Sequence, residues 1–197
     1  MQPEILLALA GFSLVSSITP GPNNLMLLAS GTNYGFVRSL PHMLGISGGF
    51  AFLLLCVGFG LGEILEASPQ LYLGLKIAGA AYLVYLAWKI ANSGPISSGK
   101  IDGRPMRFVE AVAFQWVNPK AWVMALASMT AYTNPSAYTS SVVIVAGVFT
   151  LVNLPSIAVW CGMGLWLRRF LADPIRLRIF NISMAILLIA SLWPMLR

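Results

Sequence analysis

Thr19-Pro20-Gly21-Pro22-Asn23-Asn24 lies inside an apolar run long enough to cross a bilayer, and it cannot continue a regular helix. Pro20 and Pro22 each withhold a backbone donor, and Gly21 loosens the chain between them. In hydrocarbon such a break strands amide and carbonyl groups at several kcal/mol each, so it is tolerated only against protein or a water-filled cavity. The first apolar run is therefore expected to be a broken helix bordering a polar cavity.

Working outward, the second half of the chain carries a matching interruption. Gln115-Trp116-Val117-Asn118-Pro119-Lys120 breaks the fourth apolar run, and Pro119 follows Pro20 by 99 positions in a chain of 197. Paired broken helices that meet near the midplane are the mark of inverted-repeat transporters. Six apolar runs can be drawn, over 4–28, 40–62, 69–91, 108–131, 138–162 and 174–196. Each is near the roughly 20 residues a bilayer demands. The expected fold is an all-α membrane protein of six transmembrane helices, a 3+3 inverted repeat with broken first and fourth helices. Residues 1–91 form the first repeat, 92–107 a polar cytoplasmic linker and 108–197 the second repeat, all in one transporter domain.

Composition supports the class. Hydrophobic residues make up 58% of the chain and charged ones 9%, which fits a polytopic membrane protein and not a soluble domain of this length. The N-terminus, Met1-Gln2-Pro3-Glu4, lacks the basic region of a cleaved signal and is read as the start of the first span. The net charge of +6 does not point to nucleic acid, because its placement is topological. Arg38, Lys89, Lys100, Arg104, Arg107, Arg168, Arg169, Arg176 and Arg178 fall in connections on one side of a six-span bundle, whereas the other side has Arg197 with Glu4, Glu63 and Glu66. The positive-inside rule places the nine in the cytoplasm and both termini outside.

Along the chain, Ala29 to Gly35 reads as a Gly-rich re-entry segment after a short helical continuation, Leu25 to Leu28. Gly31, Gly35, Gly45 and Gly49 have the small-residue spacing that lets membrane helices approach closely. They are compatible with a homodimer and equally with packing inside one bundle. His42, the sole histidine, is expected at the cytoplasmic interface, since Pro41 marks a helix start. Asn153 and Pro155 form a further polar interruption, in the fifth span.

Among polar residues, Lys120 lies roughly 18 Å from the cytoplasmic edge of its span by helical rise, too deep to reach water easily. It should face a polar cavity or a partner. Lys76, only about 10 Å from the outer edge, can snorkel. A broken helix offers orphan amides that favour anions and orphan carbonyls that favour cations, and a zwitterion needs both. Thr19, Pro20, Gly21, Pro22, Asn23, Asn24, Gln115, Asn118, Pro119, Lys120 and Asn153 are thus the candidate binding residues for an amino acid. No acid occupies the centre of any span, so Glu110, about one turn into the fourth, and Lys76 are the proton-coupling candidates, beside the substrate's own amino group.

Thr19-Pro-Gly-Pro-Asn-Asn24, Leu44-Gly-Ile-Ser-Gly-Gly-Phe50, Gly79-Ala-Ala-Tyr-Leu83, Asn118-Pro-Lys-Ala-Trp122 and Asn153-Leu-Pro155 together resemble the LysE/RhtB family of amino-acid exporters. The resemblance covers essentially the whole chain. It implies a multi-pass transporter of the bacterial inner membrane that expels surplus amino acids, driven by protons, with no enzymatic step, cofactor or metal. Cysteine, O-acetylserine, homoserine and threonine are the substrates it suggests; a cationic one would call for an intramembrane acid, which is lacking. Three rival readings remain: a membrane thiol oxidoreductase, a metal exporter of the same broad superfamily, and an accessory membrane subunit with no site of its own. Cys56 and Cys161 fall at opposite depths, too far apart to pair, and one His with two separated Cys makes a poor metal site.

Overall fold

A computed structural model describes residues 1–93 and 103–193 of the chain. The described residues form helices joined by short turns, without strands. The elements are α1 (Pro3–Ile18), α2 (Pro22–Tyr34), α3 (Leu40–Cys56), α4 (Gly62–Ala67), α5 (Pro69–Ala91), α6 (Phe108–Gln115), α7 (Pro119–Tyr132), α8 (Tyr138–Leu167) and α9 (Pro174–Ala190). Proline sits in the first two positions of α1, α2, α3, α5, α7 and α9, where its missing donor has no helical partner to lose. Asp173 caps α9, its Oδ1 accepting from the amides of Ile175 (2.7 Å) and Arg176 (3.1 Å).

Among the described residues, three continuous segments are long and apolar enough to cross a membrane: Val37–Ile64, Leu73–Ala91 and Pro135–Leu167. A fourth is the pair α1 and α2, bent by 57° at the Thr19–Gly21 break. Within Val37–Ile64 the helix widens into a π-turn over Val57–Leu61, where Gly60 takes φ 110°, a conformation that favours glycine.

α8 is the central strut, packed on α1, α2 and α3, while α3 also holds α6 and α5 pairs with α9. Phe50 of α3 and Phe149 of α8 meet edge to face at 5.1 Å in the largest apolar cluster, with Leu9 of α1 and Ala125 of α7. Backbone contact sets the closest crossings. A Cβ on Gly31 would collide with the Cys161 carbonyl, one on Gly164 with the Leu28 carbonyl, and one on Gly45 or Gly49 with the backbone of α6.

Lys89, Arg104, Tyr34 and His42 line one cavity, and Arg168 lies beside Gly35, so the predicted cytoplasmic connections gather at one end of the bundle, called here the basic end. The opposite end joins α1 to α7, through the Tyr132 hydroxyl and the Ala8 carbonyl at 3.5 Å.

The structure corrects four local expectations. Ala29 to Tyr34 is helix and not a re-entry loop, because Gly31 is spent on contact with α8 and the turn comes only at Gly35, with φ 85°. Gly35 is therefore a turn residue, whereas Gly31, Gly45 and Gly49 are packing residues. His42 is 2% exposed and not interfacial, being covered by α5 and the Arg104–Met106 segment. α8 runs unbroken through Pro155, which removes one donor where Pro20 and Pro22 remove two within three residues. Most of the predicted linker, 94–102, and Arg197 lie outside the described residues.

Candidate functional site

The α1–α2 break orphans a set of carbonyls, and each has a replacement donor. Pro20 leaves the Ser16 carbonyl without its helical amide, and the Thr19 hydroxyl donates to it at 3.0 Å. Pro22 does the same to Ile18, whose carbonyl accepts from the Trp160 indole at 3.0 Å. The Asn24 amide spans the gap, its Nδ2 donating to the Ser17 and Thr19 carbonyls, both at 2.8 Å. Asn24, 3% exposed, thus holds the break open in one shape.

Lys120 arrives from the other break. Its Nζ donates to the Thr19 carbonyl (2.7 Å), the Thr19 Oγ1 (2.9 Å) and, more weakly, the Pro20 carbonyl (3.4 Å). The ammonium is seated at the negative end of the α1 dipole. Gly21 makes room for it: a Cβ there would lie 2.7 Å from Lys120 Cδ. The one ion pair among the described residues is elsewhere, between Arg104 and Glu110, so carbonyl oxygens and one hydroxyl hold this cation.

Asn23 and Gln115 clasp the two breaks together. Asn23 Nδ2 donates to Gln115 Oε1 at 2.8 Å, and Gln115 Nε2 returns a bond to Asn23 Oδ1 at 3.3 Å. At the second break Asn118 is the N-cap of α7, its Oδ1 accepting from the Lys120 amide at 3.2 Å. No side chain caps the N-terminus of α2, and Gly21, Asn23 and Asn24 at that end line the cavity, which sets the positive end of the helix beside it. Asn153 completes the floor, accepting from Ser47 Oγ at 3.0 Å and donating to Ser17 Oγ at 3.1 Å.

One cavity joins these groups. It is lined by Gly21, Asn23 and Asn24 from the first break, Gln115, Asn118 and Lys120 from the second, and Asn153 of α8, with Ile46 and Phe50 as apolar wall. Its volume is about 30 Å³, room for about one water, because the Lys120 side chain fills the space between the breaks. Pro20 is exposed, Pro22 buried and Pro119 half-buried; they shape the breaks without lining the cavity.

Two predicted residues lie away from the cavity. Lys76, half-buried in α5, does not line it. Glu110 lies at the basic end, taking two bonds from Arg104 (2.5 and 2.8 Å) and one from the Arg107 amide (2.8 Å), which caps α6. That ion pair raises the Arg104 guanidinium above its ordinary range, through its hydrogen bond to Glu110. Cys161 is buried in the cluster around Met43 and Ile157, and both cysteines are free thiols. Three site residues were not anticipated from sequence: Ser17, Ser47 and Trp160. Ser47, inside Gly45-Ile-Ser-Gly-Gly49, had a visible signal, a polar residue on a glycine-lined face; Trp160 had none.

The family model described as LysE type translocator matches residues 14–191. Proteins named cysteine/O-acetylserine efflux protein, from Escherichia coli (strain K12), Shigella sonnei (strain Ss046) and Shigella flexneri serotype 5b (strain 8401), are 37% identical over 147 residues, 73% of each chain. No solved structure matches. With a family match over most of its length, and relatives aligned over nearly three quarters of theirs, the chain belongs to the LysE type translocator family.

Proposed function

We propose that this chain exports a small neutral amino acid of the cysteine or O-acetylserine type, with homoserine and threonine as the next candidates, and binds it between the two helix breaks. One observation carries the reading: an ammonium group, that of Lys120, already sits on the Thr19 and Pro20 carbonyls. The α-ammonium of an amino acid has the same chemistry and takes that place. Lys120, displaced, pairs with the substrate carboxylate, whose second partner is the uncapped N-terminus of α2. Asn23, Gln115, Asn118 and Asn153 set the polar walls, and Ile46 and Phe50 leave an apolar pocket for a short side chain.

The names of the relatives support the substrate class, and the basic end supports a cytoplasmic orientation for the α2–α3 connection, with both termini outside. The architecture proposed is a six-span 3+3 inverted repeat of the bacterial inner membrane, with repeats 1–91 and 108–197. It is supported by matched packing, α1 on α8 as α6 on α3, with α3 beside α8 and α5 beside α9. Export is coupled to inward proton movement. The single chain is the transport unit; a homodimer would have to use surfaces other than Gly31, Gly45 and Gly49, which are spent inside the bundle.

Proteoliposomes loaded in turn with cysteine, O-acetylserine, homoserine, threonine and lysine test the reading. Neutral substrates are expected to exchange and lysine not. Lys120→Met, which keeps the stem and loses the charge, should lower exchange about tenfold or more, the worth of one or two charge-assisted hydrogen bonds. Exchange of lysine in preference to the neutral set, or full activity in Lys120→Met, would refute it.

A further inference from the structure

A second cavity, of about 50 Å³, opens between α2, α3, α5 and the Arg104–Met106 segment at the basic end. That is room for one or two waters. Its open surface is mostly apolar, with Leu86 and Ile90 in the lining; Ser30, Asn33, Lys89, Ser93 and Arg104 are its polar lining residues, and His42 is part of its wall. His42 is 2% exposed, and neither ring nitrogen has a hydrogen-bond partner. A buried imidazole with both nitrogens unpaired, in the wall of a water-sized chamber, keeps its whole capacity to accept and donate a proton. It also stands one helical turn, about 6 Å, from Ile46, which lines the central cavity.

We infer that His42 is the proton way-station of this exporter, taking a proton from the side of the central cavity and releasing it to water in the chamber at the basic end. The inference rests on the proton-coupled export reading above. An N–H bond forms on one imidazole nitrogen as a hydronium ion, leaving water, or the substrate ammonium, leaving the amine, gives up its proton. The proton on the other nitrogen leaves for a chamber water, so the ring returns to neutrality as the other tautomer. Glu110 is a poorer candidate, because Arg104 and the Arg107 amide already occupy its carboxylate.

The titratable and charged groups packed around His42 are Tyr34 of α2, Lys89 of α5, Arg104, Glu110 of α6 and Cys161 of α8, with Lys120 of α7 in the central cavity. The Glu110 charge is opposed by Arg104 at contact distance. Lys89 and Arg104 then place positive charge beside the chamber, which favours loss of the proton there and not its retention.

The test uses the full chain in proteoliposomes, with whichever neutral amino acid exchanges best in the screen above. Substrate exchange at equal pH is compared with uphill movement under an imposed pH gradient, for wild type and His42→Gln. His42→Gln should keep exchange within about twofold while losing about tenfold or more of gradient-driven movement and its pH dependence. Equal gradient-driven movement in both proteins overturns the inference alone. A wild type indifferent to the gradient overturns proton coupling, and one that exchanges no neutral amino acid overturns the exporter reading; the inference falls with either. If His42→Gln does not exchange at all, wild type decides. Its one histidine gives a single pair of ¹⁵N imidazole signals, which should gain a protonated, water-exchanging population between pH 8 and 5 when substrate is cycling. A ring that stays neutral throughout overturns the inference.

Discussion

At the scale of single residues, the Asn23–Gln115 clasp is the most exacting contact in the site, because two amides exchange both donor and acceptor across 92 positions of sequence. Truncating either strands the other's amide in a largely buried place, so Asn23→Ala and Gln115→Ala should each lower stability by about 1–3 kcal/mol. The double variant should lose less than the sum, by about 1 kcal/mol, since one broken pair cannot be broken twice. Thermal unfolding in detergent of the four proteins checks this; strictly additive losses would mean the clasp contributes nothing. The polar residue types at the two breaks were legible from sequence, because Asn, Gln and Lys beside paired prolines have no place in lipid. Their pairing was not. Which carbonyl Lys120 reaches, or that Asn24 turns back on α1, depends on distances between segments that periodicity does not carry. His42 illustrates the same limit, since Pro41 correctly marks a helix start while the burial of the ring is decided by α5 and residues 104–106, far along the chain.

At the scale of elements, the α2–α8 crossing stands apart because backbone meets backbone. Gly31 lies on the Cys161 carbonyl, Gly164 lies on the Leu28 carbonyl, and Thr32 Oγ1 donates across the seam to the Gly164 carbonyl at 2.9 Å. Gly31→Val puts three carbons where none fit, and the helices must part. The expected cost is about 3 kcal/mol or more, at the upper end for overpacking, because the obstacle is backbone and cannot change rotamer. Gly11, which meets nothing within 4 Å, is the control: Gly11→Val should change stability little. Comparing the two variants' melting temperatures against wild type checks the crossing. The small-residue spacing that includes Gly31 was readable beforehand, though Gly164 was not singled out, and the runs that became α3, α5 and α8 were readable too. The helical state of 29–34 was not, because glycine in sequence signals both a loop and a tight crossing, and only the facing α8 backbone distinguishes them.

For the whole molecule, the two ends are closed to different degrees. At the basic end α2 is locked by the Gly31 and Gly164 contacts and by Asn33, whose Nδ2 donates to Asn181 Oδ1 at 2.9 Å, while Asn181 Nδ2 donates to the Ser93 carbonyl at 3.0 Å. At the other end a cavity of about 540 Å³ lies between the π-turn and α7, lined by Gly58, Phe59, Glu63, Leu126, Met129 and Thr133. We predict that export by alternating access reverses this asymmetry, with α2 parting from α8 and α9 once in every cycle. A bond across that seam is therefore inhibitory. Asn33→Cys with Asn181→Cys, in a background where Cys56 and Cys161 are replaced by serine, sets two thiols on facing turns of α2 and α9, for a short bifunctional methanethiosulfonate to bridge. Crosslinking should lower amino-acid exchange to about a tenth or less of the untreated rate, and reductant should restore it. Crosslinked protein exchanging at the untreated rate would mean that the α2–α9 seam never opens, and that substrate reaches the helix breaks by another route.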